Sequence, residues 1–91
     1  MHAVVSNATI HDFDRARKLL QEQTVPGVSQ APGFVAGYWT RSDDNRGLAM
    51  VVFESEDAAQ AVAERLRSQG PPDPEAVTID NVEVREVVAN A

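Results

Sequence analysis

Two segments, Pro32–Gly33–Phe34–Val35–Ala36–Gly37–Tyr38–Trp39 and Leu48–Ala49–Met50–Val51–Val52–Phe53, are almost continuously apolar, and the polar loop Ser42–Asp43–Asp44–Asn45–Arg46 joins them. A hairpin with one wet face alternates apolar and polar residues, whereas a hairpin apolar at both parities requires cover on both sides. A chain of 91 residues can supply helices for one face only. The other face then calls for a partner.

The rest of the chain reads as elements that frame this hairpin. A first strand is expected near 2–8, centred on Ala3–Val4–Val5. Asp12 caps a helix near 12–24, with Asp14 in the first turn and Phe13, Ala16, Leu19 and Leu20 at helical spacing. Thr24 and Pro26 interrupt that helix, and Val25–Pro26–Gly27–Val28 forms a turn or a second short helical piece. The hairpin strands fall near 34–42 and 47–54. Ser55 caps a second helix near 56–69, whose inner face is Ala58, Ala59, Val62, Ala63 and Leu66. Gly70–Pro71–Pro72–Asp73–Pro74 is a stiff loop, and a last strand near 77–88 alternates at Val82–Glu83–Val84–Arg85. The charged parity of that strand places it toward a sheet edge.

The order β-α-β-β-α-β folds most simply as an α+β, ferredoxin-like domain over residues 1–91. It has a four-stranded antiparallel sheet with both helices on one face. Four strands about 4.8 Å apart and about 20 Å long present roughly 400 Å² of helix-free face in flat projection. Soluble monomers seldom expose apolar patches above roughly 300–600 Å². A two-fold homodimer through that face is the expected remedy. Which alternate set of hairpin residues faces which way stays open at this level, because a one-residue change in the loop flips the registration.

Composition removes several classes of function. The chain has no cysteine, so thiolate chemistry and disulfides are out. Its net charge is −6 and its eight basic residues are scattered, which disfavours nucleic acid and anionic membranes. No apolar run approaches the roughly 20 residues a membrane span needs, and Met1–His2–Ala3–Val4–Val5–Ser6–Asn7 does not read as a signal peptide. The expectation is a cytoplasmic protein. No phosphate-cradling glycine loop occurs, and His2 and His11 lack the spacing of a metal pair. No metal or cofactor is expected.

The hairpin, followed by Val51–Val52–Phe53–Glu54–Ser55–Glu56–Asp57–Ala58, resembles the dimeric α/β-barrel superfamily, and within it the antibiotic-biosynthesis-monooxygenase-like domains. The resemblance covers the whole chain and is more specific for fold than for activity. It implies two ferredoxin-like subunits packed sheet to sheet, with small hydrophobic ligands between each sheet and its own helices. Haem-degrading relatives carry a functional asparagine near the position of Asn7. They also carry a tryptophan where this chain has Phe53, and a histidine further downstream, in or after the second helix. Phe53 and the lack of any histidine after His11 argue against haem degradation.

The remaining implication is oxidation of a small aromatic or quinol-type molecule without a cofactor. Such chemistry needs an apolar pocket, a proton acceptor and a donor for the developing oxyanion. No residue stands out as the base. The candidate ligand-binding residues are Asn7, Phe13, Tyr38, Trp39 and Phe53, with Arg41 a further possible donor. Tyr38 and Trp39 are adjacent on a strand and point to opposite faces; which one meets the ligand is left open. The alternatives are a non-catalytic small-ligand-binding or accessory dimer and a purely structural one.

Overall fold

The computed structural model describes residues 1–91. Its strands are β1 (His2–Ile10), β2 (Phe34–Arg41), β3 (Arg46–Phe53) and β4 (Val77–Glu86), hydrogen-bonded in the order β2-β3-β1-β4 with every pair antiparallel. The helical elements are α1 (Phe13–Leu19), a π turn (Leu20–Thr24), α2 (Val25–Ser29) and α3 (Glu56–Gln69). The arrangement is ferredoxin-like, and β4 lies at an edge as its charged parity requires.

The helix starts are set by the two expected caps. Asp12 accepts from the backbone N–H of Arg15 at 3.2 Å, and Ser55 from that of Ala58 at 3.1 Å. The hairpin loop closes through Ser42, whose N–H reaches the carbonyl of Arg46 at 2.8 Å. Asn45 takes the left-handed conformation there (φ 59°), which asparagine tolerates better than most residues.

Of the two forms expected after Thr24, the chain takes the second short helical piece, α2, but enters it without a break in the backbone. The backbone stays helical to Ser29, and the residue before the proline, Val25, is itself helical (φ −62°, ψ −50°). The wider π turn is the reason. The N–H of Val25 donates to the carbonyl of Leu20, five residues back, and restarts the helix with Pro26 in its first turn. A proline's missing N–H costs nothing at that position.

The core is small and lies under α3. Val4, Val51, Phe53, Ala59 and Ala63 form it, with Phe34 set edge-on to Phe53 at 6.2 Å between centroids. Only 8 of 91 residues are buried, and none of them is polar. Alanines let α3 lie close on β1, β3 and β4, whereas α1 and the π turn make little close contact with the sheet. The first arm is held instead at its ends. The carbonyl of Ala76 accepts from His11 and Asp12, Arg15 pairs with Asp73, and α2 rests on β2.

Candidate functional site

The stand-off of the first arm leaves a cleft of about 760 Å³ between the sheet and the two helical arms. Its floor is the helix-facing parity of the sheet: Val4, Ser6 and Ala8 of β1, Ala49 and Val51 of β3, and Trp39 of β2. Phe13, Ala16, Leu20 and Val28 form one wall, and Val62, Arg65 and Leu66 the other.

Trp39 occupies the floor because Gly37, two residues earlier on the same face, carries no side chain. A Cβ at Gly37 would stand 2.8 Å from Cη2 and 2.9 Å from Cζ3 of the indole, closer than carbon atoms tolerate. The ring therefore lies back over the strand and presents an aromatic surface to the cleft. On the wall, the Phe13 ring meets two guanidinium groups, Arg41 at 3.6 Å and Arg17 at 5.8 Å from its centroid.

Of the five residues singled out from the sequence, the structure brings Phe13 and Trp39 together in the cleft and places the other three elsewhere. Asn7 is exposed on the helix-free face, because Val4 points into the core and a residue three positions along a strand points the opposite way. Tyr38 faces that same side, 68% exposed, in a row with Met50 and Val5. Phe53 is fully buried against Phe34 beneath α3 and does not reach the cleft.

The polar lining differs from that expectation. Arg17 of α1 and Arg65 of α3, neither among the residues singled out from the sequence, both line the cleft, as does Arg41. A signal existed for Arg65, which has no carboxylate three or four residues away in either direction and so no partner along its own helix. Asp73 is the only carboxylate in the lining, and Arg15 holds it. His11 lies outside, its Nε2 at 2.7 Å from Oγ1 of Thr78. No group of three or more His, Asp or Glu side chains is arranged to hold a metal ion.

This fold, an open four-stranded antiparallel sheet with two helical arms, is shared with solved structures of antibiotic-biosynthesis-monooxygenase-like fold. HapK from Hahella chejuensis superposes with a TM-score of 0.72 at 10% identity, over 100% of this chain and 96% of that one. SnoaB from Streptomyces nogalater, a cofactor-independent oxygenase, gives 0.66 at 18% identity, over 98% and 94%. A candidate antibiotic biosynthesis monooxygenase from Bacillus cereus gives 0.55 at 18%, over 100% and 95%. At such identities the likeness carries the fold. The chain belongs to the family described as Domain of unknown function (DUF3110), which matches residues 35–91. No curated protein matches it by sequence. No helix is long and apolar enough to cross a membrane.

Proposed function

We propose that residues 1–91 act as one unit that binds a small aromatic molecule in the cleft, as a monooxygenase in which the substrate itself supplies the electrons. The observation that carries this reading is the open cleft floored by Trp39. Its volume of about 760 Å³ suits a small polycyclic ligand. Support for the oxygenase activity comes from fold likeness to SnoaB. With a quinol as substrate the balance is simple: the quinol and O₂ give a hydroxyquinone and water. One oxygen atom enters the ring and the other leaves as water. The positive charge bordering the cleft favours the ionised phenol that oxygen attacks.

The test is oxygen uptake with a panel of quinols and polyphenols, comparing the wild type with Trp39→Leu and Phe13→Leu. Uptake that the protein accelerates and that both substitutions lower supports the reading. Uptake unchanged by both removes these residues from it. A second reading, ligand binding without turnover, is favoured by one observation: no free carboxylate or histidine lines the cleft to take the proton. Saturable binding with no acceleration of oxygen uptake selects it.

The helix-free face belongs to the same proposal, with a second copy of the chain as its cover. Tyr38, Leu48 and Met50 are 68%, 45% and 43% exposed and adjoin one another across β2 and β3. With so few residues buried in the isolated chain, pairing through this face adds the burial that the core lacks. Light scattering should give about twice the chain mass, and Tyr38→Asp combined with Met50→Asp should give the monomer.

A further inference from the structure

The chain has seven arginines, and their partners divide them into two groups. Arg15 pairs with Asp73 and Glu75, Arg46 with Asp44, Arg67 with Glu64 and Arg85 with Glu83. The three with no carboxylate within salt-bridge distance are Arg17, Arg41 and Arg65, and all three line the cleft. They come from α1, β2 and α3, so unpaired positive charge faces the space from three different elements. The remaining basic side chain, Lys18, lies outside it.

This distribution runs against the composition. Acidic residues outnumber basic ones by 14 to 8, yet the lining holds three arginines with no carboxylate partner, and its one carboxylate is already paired with Arg15. A field of one sign in a concave, partly apolar site draws ligands of the opposite sign. Guanidinium forks suit planar, two-oxygen anions, and their hydrogen bonds strengthen as a ligand displaces water.

We infer that the cleft selects an aromatic molecule carrying a carboxylate, with the ring over Trp39 and beside Phe13 and the carboxylate held by Arg17, Arg41 and Arg65. The inference rests on the cleft being the ligand site and specifies which aromatic molecules enter it. Neutral aromatics of the same size occupy the same space more weakly.

Trp39 is the only tryptophan, so its emission reports on the cleft directly. Titrations with 2-naphthoate and with 2-naphthamide, the same ring system without the charge, should give dissociation constants at least about tenfold apart in favour of the acid. Raising the ionic strength to about 1 M, where the screening length falls to about 3 Å, should shrink that ratio. Arg17→Gln with Arg65→Gln should bring the two ligands close to parity, and Arg41→Gln alone should do so in part. Lys18→Gln, which removes a charge outside the cleft, should leave the ratio unchanged. Equal binding of acid and amide overturns the selectivity while leaving the cleft as an aromatic site. Binding of neither overturns both. A ratio that falls as far in Lys18→Gln as in the arginine variants overturns the assignment, because net charge alone would then explain it. Circular dichroism of each variant confirms that the comparison is made between folded proteins.

Discussion

α3 settles onto the sheet through Ala59 and Ala63, both fully buried, whereas the first helical arm of α1, π turn and α2 buries none of its residues. Both arms lie over the same face and both carry an apolar stripe. The difference is side-chain size. Small residues let a helix close on a sheet until van der Waals contact is complete. Phe13, Leu19 and Leu20, with the proline-bearing turn behind them, hold the first arm at a distance. One arm therefore supplies the core and the other, by standing off, opens the cleft. The closed contact rests on α3 alone, whereas both arms wall the cleft, α3 through Val62, Arg65 and Leu66.

The largest effect expected from this division is on global stability. Phe53→Ala, beneath α3, should cost about 3–5 kcal/mol in denaturant unfolding, a large share of what a small domain has. Leu20→Ala, on the cleft wall, should cost about 1 kcal/mol or less. Equal losses would mean that the first arm is part of the core after all, and the comparison would fail.

A sharper contrast uses the same change on each arm. Ala63→Leu forces a larger side chain into a closed contact and should destabilise by about 1–3 kcal/mol. Ala16→Leu points the same addition into open space, so unfolding should be nearly unaffected while affinity for aromatic ligands in the cleft falls. The reverse pattern would relocate the open space to α3.

How far the sequence discloses this division depends on which residue carries it. Strand and helix positions follow from apolar spacing, and the caps Asp12 and Ser55 are used as their chemistry suggests. The inward face of α3 is also legible, since only alanines sit where it closes. The π turn is not, because a bond from Val25 back to Leu20 leaves no trace in a 3.6-residue period. The faces of Tyr38 and Trp39 depend on the hairpin register and on a bulge between Phe34 and Ala36, each a matter of a single residue. Asn7 is the same problem in β1: the parity fixed by Val4 turns it away from the helices. The arginines of the cleft are legible as charges but not as neighbours, since α1, β2 and α3 meet only in the fold.

The two N-caps extend the comparison to smaller energies. Ser55→Ala removes the acceptor for Ala58 and should lower global stability by about 1 kcal/mol, because α3 is integral to the core. Asp12→Ala removes the equivalent bond to Arg15. With little packing to transmit that loss, it should appear chiefly as faster hydrogen exchange of the α1 amides and less as a shift of the unfolding midpoint. Equal midpoint shifts would show that the first arm unfolds together with the sheet.

The smallest effect lies in the hairpin loop, outside both arms, and serves as their control. Asp44 accepts a hydrogen bond from the Ser42 hydroxyl, and with Arg46 close by its carboxyl is held below the usual aspartate value. A carboxylate whose folded pKa is depressed favours the folded state above its unfolded pKa, and that contribution fades as pH falls through the folded value. The window here is therefore acidic, below the ordinary aspartate range. Since Asp44 is fully solvated, the visible consequence is its own titration rather than a change in unfolding. An NMR pH titration should find Asp44 ionising below normal, and Ser42→Ala should return it toward normal because the hydroxyl is the largest cause. The same substitution should leave ligand titrations at Trp39 unchanged if the hairpin loop is mechanically separate from the cleft. A shift in both would show that Ser42 helps to set the β2–β3 register, and with it the face on which Trp39 is presented.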